Sequence, residues 1–189
     1  MQANIKRLVT LADFLRGLGE KAFCIDSWFS PGFGDLIDKG NANPESAADC
    51  GTTACALGWA TTIQEFKAAG LSSVGVKQMS GYTPLVPTYD GLNGIDAAMR
   101  FFDISESVAR SFFLPSAFEA GDEALAEAVA ARICAFVEDQ SGYEEALDGD
   151  GDLCSKDDIY FWDDEPTERD LAKIKAGDEL RARLPEFAW

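Results

Sequence analysis

The chain has 189 residues, of which 47% are apolar and 26% are charged, and it contains no histidine. Without histidine there is no Ser-His-Asp or Cys-His nucleophile, no imidazole ligand for zinc and no histidine pH switch. The 33 acidic residues outnumber the 16 basic residues, which gives a formal net charge of −17. Because phosphates are repelled by such a chain, the charge argues against direct binding to DNA, RNA or an anionic membrane.

The composition is that of a globular protein, and no apolar run is long enough to span a membrane. Residues 1–7 lack the apolar core and the cleavage site of a signal peptide. The five cysteines form an odd set without a CxxC pair, which is typical of reduced thiols in a cytoplasm. We therefore expect a cytoplasmic protein that does not bind membranes.

Two amphipathic helices are predicted in the first part of the chain. Residues 4–18 carry apolar side chains at helical spacing, and Asn4 is placed to cap them. The same spacing predicts a single helix over 53–69. There, Gly70 followed by Leu71 matches a left-handed C-terminal cap.

Residues 73–90 change to the alternating pattern of strands around a turn at Ser80-Gly81, which predicts one small β-hairpin. Proline cannot donate a hydrogen bond to a neighbouring strand. Pro84 and Pro87 therefore predict that the returning strand is an edge strand or an irregular segment.

Helical patterns dominate the remainder of the chain. Two short helices are predicted over 94–102 and 105–113, and a longer one runs from Asp122 to a point before Gly142. A last helix begins in the stretch 166–170. The predicted fold is mainly α, or α+β with one small β-hairpin, arranged as a compact helical domain with an acidic C-terminal extension.

Most of the negative charge lies in one segment. Residues 138–170 contain 14 acids and two bases, whereas residues 1–137 contain 16 acids and 10 bases. The acidic segment also carries the apolar run from Ile159 to Trp162, which a purely solvating tail lacks. We therefore divide the chain into a helical core domain over 1–137 and, over 138–189, an acidic segment with a C-terminal helix packed on the core.

This segment is the candidate partner-binding surface. Its carboxylates would replace phosphates against Lys and Arg side chains, and Tyr143 with the aromatic run would supply anchoring area. The candidate residues are Glu144, Glu145, Asp148, Asp150, Asp152, Asp157, Asp158, Tyr160, Trp162, Asp163, Asp164 and Glu165.

Asp148, Asp150 and Asp152 also have the first three ligand spacings of a calcium loop. An EF-hand requires Gly at the sixth position and Glu at the twelfth, where this chain has Leu153 and Ile159. The EF-hand match therefore fails at two defining positions. Weak calcium binding by these three carboxylates stays open beside a solvated acidic loop, and no other cofactor is expected.

The most distinctive string of the sequence is CGTTACALGWA, from Cys50 to Ala60. A thiol at a helix N-terminus can be activated, so Cys50 or Cys55 could be reactive. Cysteine is also a small, commonly buried apolar residue, and Gly58 permits a close approach. Since no histidine can act as a base, we favour the structural interpretation, and the cysteine spacing argues against a thiolate zinc site.

This string and its flanking helices resemble a family of small phage- and prophage-encoded cytoplasmic proteins with a CGTxACALGxA signature and no assigned activity. The stretches 97–105 and 122–137 fit the same pattern, so the resemblance covers about 4–137. Members often carry His where this chain has Trp59, which implies a packing role at that position here. The resemblance transfers no functional residue, and the acidic segment is an addition to the family pattern.

We expect a non-enzymatic, phage-encoded interaction protein that inhibits a host or defence protein by occupying its basic, nucleic-acid-binding surface. Anti-CRISPR proteins are acidic for this reason, which is an analogy at the level of charge. Three alternatives stay open. They are an immunity protein or antitoxin that neutralises a basic toxin, a divalent-metal-dependent enzyme with clustered carboxylates, and a helical domain whose acidity maintains solubility.

Overall fold

Helices make up most of the computed structural model, which describes residues 3–19, 22–25, 28–29, 53–76, 84–118, 126–155 and 166–184. Within these ranges the helices are α1 (Ile5–Arg16), α2 (Ala56–Ala60), α3 (Gln64–Ala68), α4 (Gly94–Phe102), α5 (Glu106–Phe113), α6 (Ala126–Glu138), α7 (Gln140–Glu145) and α8 (Glu168–Arg183). The strands are β1 (Ser72–Gly75), β2 (Leu85–Tyr89) and β3 (Leu92–Asn93). The predicted mainly α fold with a small β element is confirmed.

In the core, α1 packs along α6. The apolar stripe of α1 is fully buried at Leu8, Leu11 and Leu15, which follows from their spacing on one helix face. Asn4 caps α1 as predicted, and its side chain accepts a hydrogen bond from the Arg7 backbone N–H at 3.2 Å. The Arg7 guanidinium donates to the carbonyl of α4 residue 101 at 2.6 Å, which ties α1 to a second helix.

A continuous row of aromatic rings, here called the aromatic row, crosses the core. Neighbouring rings lie 5.0–6.0 Å apart, mostly edge to face, which is the arrangement that ring quadrupoles favour. The row joins α3, α4, α5, α6 and α7, so the core continues from residues 1–137 into the acidic segment. Its members are Phe66, Phe101, Phe102, Phe113, Phe112, Phe136 and Tyr143.

The predicted single helix over 53–69 is wrong, because the chain forms α2 and α3 with a break between them. The hydroxyls of Thr61 and Thr62 donate to backbone carbonyls three residues earlier, at 2.7 and 2.8 Å. Such bonds compete with the helical ladder, and Ile63 then takes an extended conformation with ψ of 121°. The C-terminal cap is confirmed, since Gly70 has φ of +98° and Leu71 N–H donates to a carbonyl five residues earlier at 3.0 Å.

The antiparallel pairing of the predicted hairpin is confirmed by β1 and β2, and a third strand adds to them. The predicted turn at Ser80-Gly81 lies outside the described residues. Asp90 and Gly91 both have positive φ values, 52° and 79°, and they form the two-residue turn that joins β2 to β3. The placement of the proline-containing strand at an edge is wrong, because the strand order is β1-β2-β3. Pro87 is tolerated because β3 pairs only with the two residues that follow it.

The helices predicted over 94–102 and 105–113 are confirmed as α4 and α5. The predicted start of the last helix is confirmed too, because Thr167 and Asp170 form a reciprocal capping box at the beginning of α8. The Asp122 cap lies outside the described residues, whereas α6 ends before Gly142 as predicted. The additional helix α7 follows and is capped by Asp139, whose side chain accepts a hydrogen bond from the Gly142 N–H at 3.0 Å.

We predict that Gly58→Ala destabilises the protein, because a methyl group at this position in α2 would overlap the backbone carbonyl oxygen of Trp28. Overpacking of this kind costs about 2 kcal/mol or more in the free energy of unfolding, measurable by urea denaturation. Gly19→Ala is the matched control, since nothing lies within 4 Å of its added Cβ. Equal stability of the two variants would contradict the close approach.

Candidate functional site

The described part of the cysteine string is structural. Cys55 is fully buried at the N-cap of α2, where its Sγ accepts a hydrogen bond from the Gly58 N–H at 3.4 Å. Burial raises the pKa of its thiol to about 12, and this outweighs the lowering by backbone hydrogen bonds. The structure therefore supports the structural interpretation for Cys55, whose thiol is shielded from dissolved reagents. Cys50 lies outside the described residues.

Trp59 occupies the position that the resemblance assigned to packing. Its side chain is fully buried, and its ring nitrogen Nε1 donates to the carbonyl of Ala22 at 2.8 Å. Its ring also lies 6.1 Å from the ring of Phe14 on α1. These contacts satisfy the polar edge of the indole in the core and hold the segment 22–25 against α2.

Five of the predicted partner-binding residues belong to the described part of the acidic segment. Glu144 and Glu145 end α7, and Asp148, Asp150 and Asp152 follow in the loop before α8. Glu144, Glu145 and Asp150 are exposed, whereas Asp148 and Asp152 are half-buried. The other predicted residues lie outside the described residues, namely Asp157, Asp158, Tyr160, Trp162, Asp163, Asp164 and Glu165.

The loop after α7 is closed by its own hydrogen bonds. The Asp148 carboxylate accepts from the backbone N–H groups of Asp150 and Asp152, at 2.8 and 2.9 Å. The backbone N–H of Asp148 in turn donates to the carbonyl of residue 152 at 2.9 Å. Leu147 and Leu153 form a β-bridge at the base of the loop, and both are buried. The loop therefore has one defined shape, in which the Asp148 side chain accepts hydrogen bonds from the loop backbone.

This loop lies directly on α5. Gly151 has φ of +90°, and a Cβ atom there would come within 2.7 Å of both the Ser107 carbonyl oxygen and the Arg110 Cβ. Only glycine fits this close approach in that conformation. Arg110 also pairs with Glu106 at 3.0 Å and with Asp150 at 3.8 Å, so one cation lies among the exposed carboxylates.

The opposite side of the loop is held by α8. The Arg181 guanidinium donates to the carbonyl of Cys154 at 2.7 Å and also to the carbonyl of Leu153. Gly177 faces the same stretch, and a Cβ atom there would overlap the Cys154 carbonyl oxygen. The helix α7 and the loop that follows it, residues 140–154, are thus fixed between α5 and α8. We call these residues the acidic surface.

Some acids at this surface or just before it have internal partners. Glu138 pairs with Arg183 of α8 at 3.3 Å, and Glu144 accepts a hydrogen bond from the Ser105 hydroxyl at 3.3 Å. Exposed pairs of this kind contribute little stability and exchange readily with water or with another cation. They therefore reduce the negative field locally without removing the charge that a basic partner would meet.

Tyr143 was expected to anchor a partner, and this expectation is wrong. Its ring is 1% exposed and belongs to the aromatic row, and its hydroxyl lies 3.2 Å from the Ser111 Oγ. Burial raises the pKa of the Tyr143 hydroxyl, while the nearby Arg132 charge opposes the rise. This side chain therefore holds α7 on the core, and no partner can reach it without opening the fold.

The described residues contain no group of three or more Cys, Asp or Glu side chains arranged to hold a metal ion. This includes Asp148, Asp150 and Asp152, the predicted calcium ligands. One oxygen of Asp148 also receives two backbone N–H groups, which reduces its capacity to bind a cation. In the same part of the chain, no helix has the length and apolarity needed to cross a membrane.

A buried arginine beside the acidic surface was not recognised as a functional or structural group from the sequence. Arg132 is 1% exposed, and its guanidinium donates to the carbonyls of Ser111 and Ala117 at 3.1 and 2.5 Å. It also lies 4.2 Å from the centre of the Phe118 ring. Burial lowers the pKa of Arg132, and the charges of Tyr143 and Asp152 oppose this change. In the sequence, the position of Arg132 within the apolar stripe of α6 is the signal that this arginine is buried.

We predict that Cys55 resists alkylation in the folded protein. A pKa of about 12 leaves roughly a thousandfold less thiolate than the ordinary value of 9.0 does. Peptide mapping after iodoacetamide treatment should show Cys134, which is only half-buried, modified well before Cys55. Both should react at similar rates in denaturant, and rapid modification of native Cys55 would contradict its burial.

We also predict that Arg181→Met loosens the acidic surface, because two backbone carbonyls of the loop lose a charged donor. Hydrogen bonds to charged groups contribute about 2 kcal/mol each, so amide exchange over 147–154 should accelerate at least tenfold. Arg183→Met removes the same charge but only an exposed ion pair. Equal exchange in the two variants would show that Arg181 does not hold the loop.

The sequence matches no family model, no curated protein and no solved structure. The assignment of the acidic surface as the candidate site therefore rests on the charge, burial and hydrogen bonds of this chain's own residues.

Proposed function

We propose that this chain is a non-enzymatic, phage-encoded interaction protein that acts in a host cytoplasm. It binds the basic, nucleic-acid-binding surface of a host or defence protein and so inhibits it. The observation that carries the proposal is the concentration of 14 acids and two bases in residues 138–170. A protein that needed acidity only for solubility would not require this concentration in one segment.

The geometry of the acidic surface supports this proposal through preorganisation. Glu144, Glu145 and Asp150 are exposed on a helix end and a loop whose backbone is held by α5 and α8. Binding to a fixed surface costs less conformational entropy than ordering a mobile tail. The net charge of −17 additionally accelerates the encounter with a basic partner and makes that encounter sensitive to salt.

The partner that fits this chemistry is a protein with clustered Lys and Arg side chains that normally contact phosphates. Arginine binds carboxylates in the same two-pronged geometry that it uses for phosphates. An immunity protein or antitoxin would use the same charge complementarity against a basic toxin. The identity of the retained protein, a nucleic-acid-binding protein or a toxin, distinguishes the two functions.

The test variant neutralises three exposed carboxylates of the acidic surface by Glu144→Gln, Glu145→Gln and Asp150→Asn. Immobilised wild-type protein should retain nucleic-acid-binding proteins from a host lysate at low salt, and the variant should retain at least tenfold less. Nucleic acid added in excess should displace the retained proteins, because both compete for one basic surface. Quantitative mass spectrometry of the eluates measures all three results.

The matched control removes three exposed charges elsewhere by Asp96→Asn, Glu127→Gln and Glu179→Gln. This variant has the same net charge, so its retention should stay close to that of the wild type if the local surface matters. Equal losses in both variants would assign the binding to bulk charge. Retention of no nucleic-acid-binding protein at either low or high salt would refute the proposed function.

A further inference from the structure

Two cysteines each follow a bridged residue where the segment 22–25 lies beside the start of α2. Phe23 and Ala54 form a parallel β-bridge. Its two hydrogen bonds run from the Ala54 N–H to the Ala22 carbonyl, at 3.3 Å, and from the Cys24 N–H to the Ala54 carbonyl, at 3.2 Å. The residues that follow the bridge on the two strands are Cys24 and Cys55.

The pairing places these two cysteines side by side. In paired strands, side chains alternate between the faces, so the residues after a bridged pair share the opposite face. Neighbouring strands lie about 4.8 Å apart, within the Cα separation of about 4.4–6.8 Å that a disulfide accepts. Both thiols are reduced. Burial is the largest cause of the raised pKa of Cys55. The charge of Cys24 raises this pKa further, as expected for neighbouring groups.

The two thiols differ in accessibility, which gives them different roles. Cys24 is half-buried and Cys55 is fully buried. A dissolved reagent therefore reaches Cys24 first, and Cys55 is available only to a sulfur already held next to it. High effective concentration of the neighbouring group compensates for the small thiolate fraction of Cys55.

We propose that Cys24 and Cys55 form a redox-sensitive pair, which closes to an intramolecular disulfide when the protein meets a small-molecule disulfide such as oxidised glutathione. This inference is independent of the proposed function. It assigns the CGTTACALGWA string a role in a redox-controlled connection between the segment 22–25 and the start of α2.

The reaction proceeds by two thiol–disulfide exchanges. The Cys24 thiolate attacks one sulfur of oxidised glutathione, its S–S bond breaks, and one glutathione thiolate leaves. The Cys55 thiolate then attacks the Cys24 sulfur, which forms the Cys24–Cys55 bond and releases the second glutathione thiolate. The two protons lost by the cysteines are taken up by the two leaving thiolates, and two electrons pass from the protein to the reagent.

The disulfide would make permanent a contact that is already formed by packing. Trp59 Nε1 donates to the Ala22 carbonyl, and the Trp28 carbonyl lies against Gly58 of α2. Because the fold already brings the two strands together, closure needs no large rearrangement. The covalent link restricts the unfolded chain across the residues between the two cysteines, so the oxidised form should unfold at a higher temperature.

The experiment treats the folded, full-length protein with a series of oxidised-to-reduced glutathione ratios and then blocks free thiols by alkylation. Intact mass and peptide mapping without reduction should show a Cys24–Cys55 disulfide whose fraction rises with the ratio. Circular dichroism of the oxidised protein should remain native. Its thermal midpoint should exceed that of the reduced protein by several degrees and return on reduction.

Cys24→Ser and Cys24→Ala should abolish both the disulfide and the rise in thermal midpoint. Cys134→Ser is the matched control, because it removes another half-buried thiol on α6, and it should behave like the wild type. The proposal is overturned if oxidation yields only glutathione adducts or a disulfide between any other pair. It is also overturned if Cys55 stays alkylatable after unfolding at every ratio.

Discussion

The structure depends on the aromatic row, because it joins five helices of the core, from α3 to α7, through direct ring contacts. Edge-to-face ring pairs add roughly 1 kcal/mol each beyond the burial of their apolar area. Five helices contribute rings, so loss of any one helix would expose the others. Tyr143 ends the row and thereby draws the beginning of the acidic segment into the core, leaving its carboxylates at the surface.

Beside the row, two arginines donate hydrogen bonds to backbone carbonyls near helix ends and in the acidic loop. Arg132 donates hydrogen bonds to carbonyls in α5 and in the short turn of helix after it. Arg181 donates to a carbonyl at the end of the acidic loop. Both guanidiniums satisfy buried or half-buried carbonyls that water cannot reach easily. Arg181 thus holds the backbone of the acidic surface, and Arg132 holds the end of α5 on which that surface packs.

The two proposals concern separate parts of the same core. The acidic surface lies on α7 and the following loop, where charge is exposed and the backbone is fixed. The cysteine pair lies at the start of α2, where Cys55 is buried and Cys24 is half-buried. Negative charge at one place and apolar packing at the other follow from the same rule, that unpaired charges stay in water and apolar groups leave it.

Local signals determined much of this fold from the sequence alone. The caps at Asn4, Gly70 and Thr167 depend on groups within a few residues, so their helix ends could be predicted. The Asp90-Gly91 turn carries an equally local signal in its sequence. The absence of histidine and the place of the negative charge were likewise visible in the sequence. Only the tertiary structure decided that Tyr143 is buried and that Cys24 lies beside Cys55. Those outcomes depend on contacts between residues far apart in the chain, which periodicity and composition do not encode.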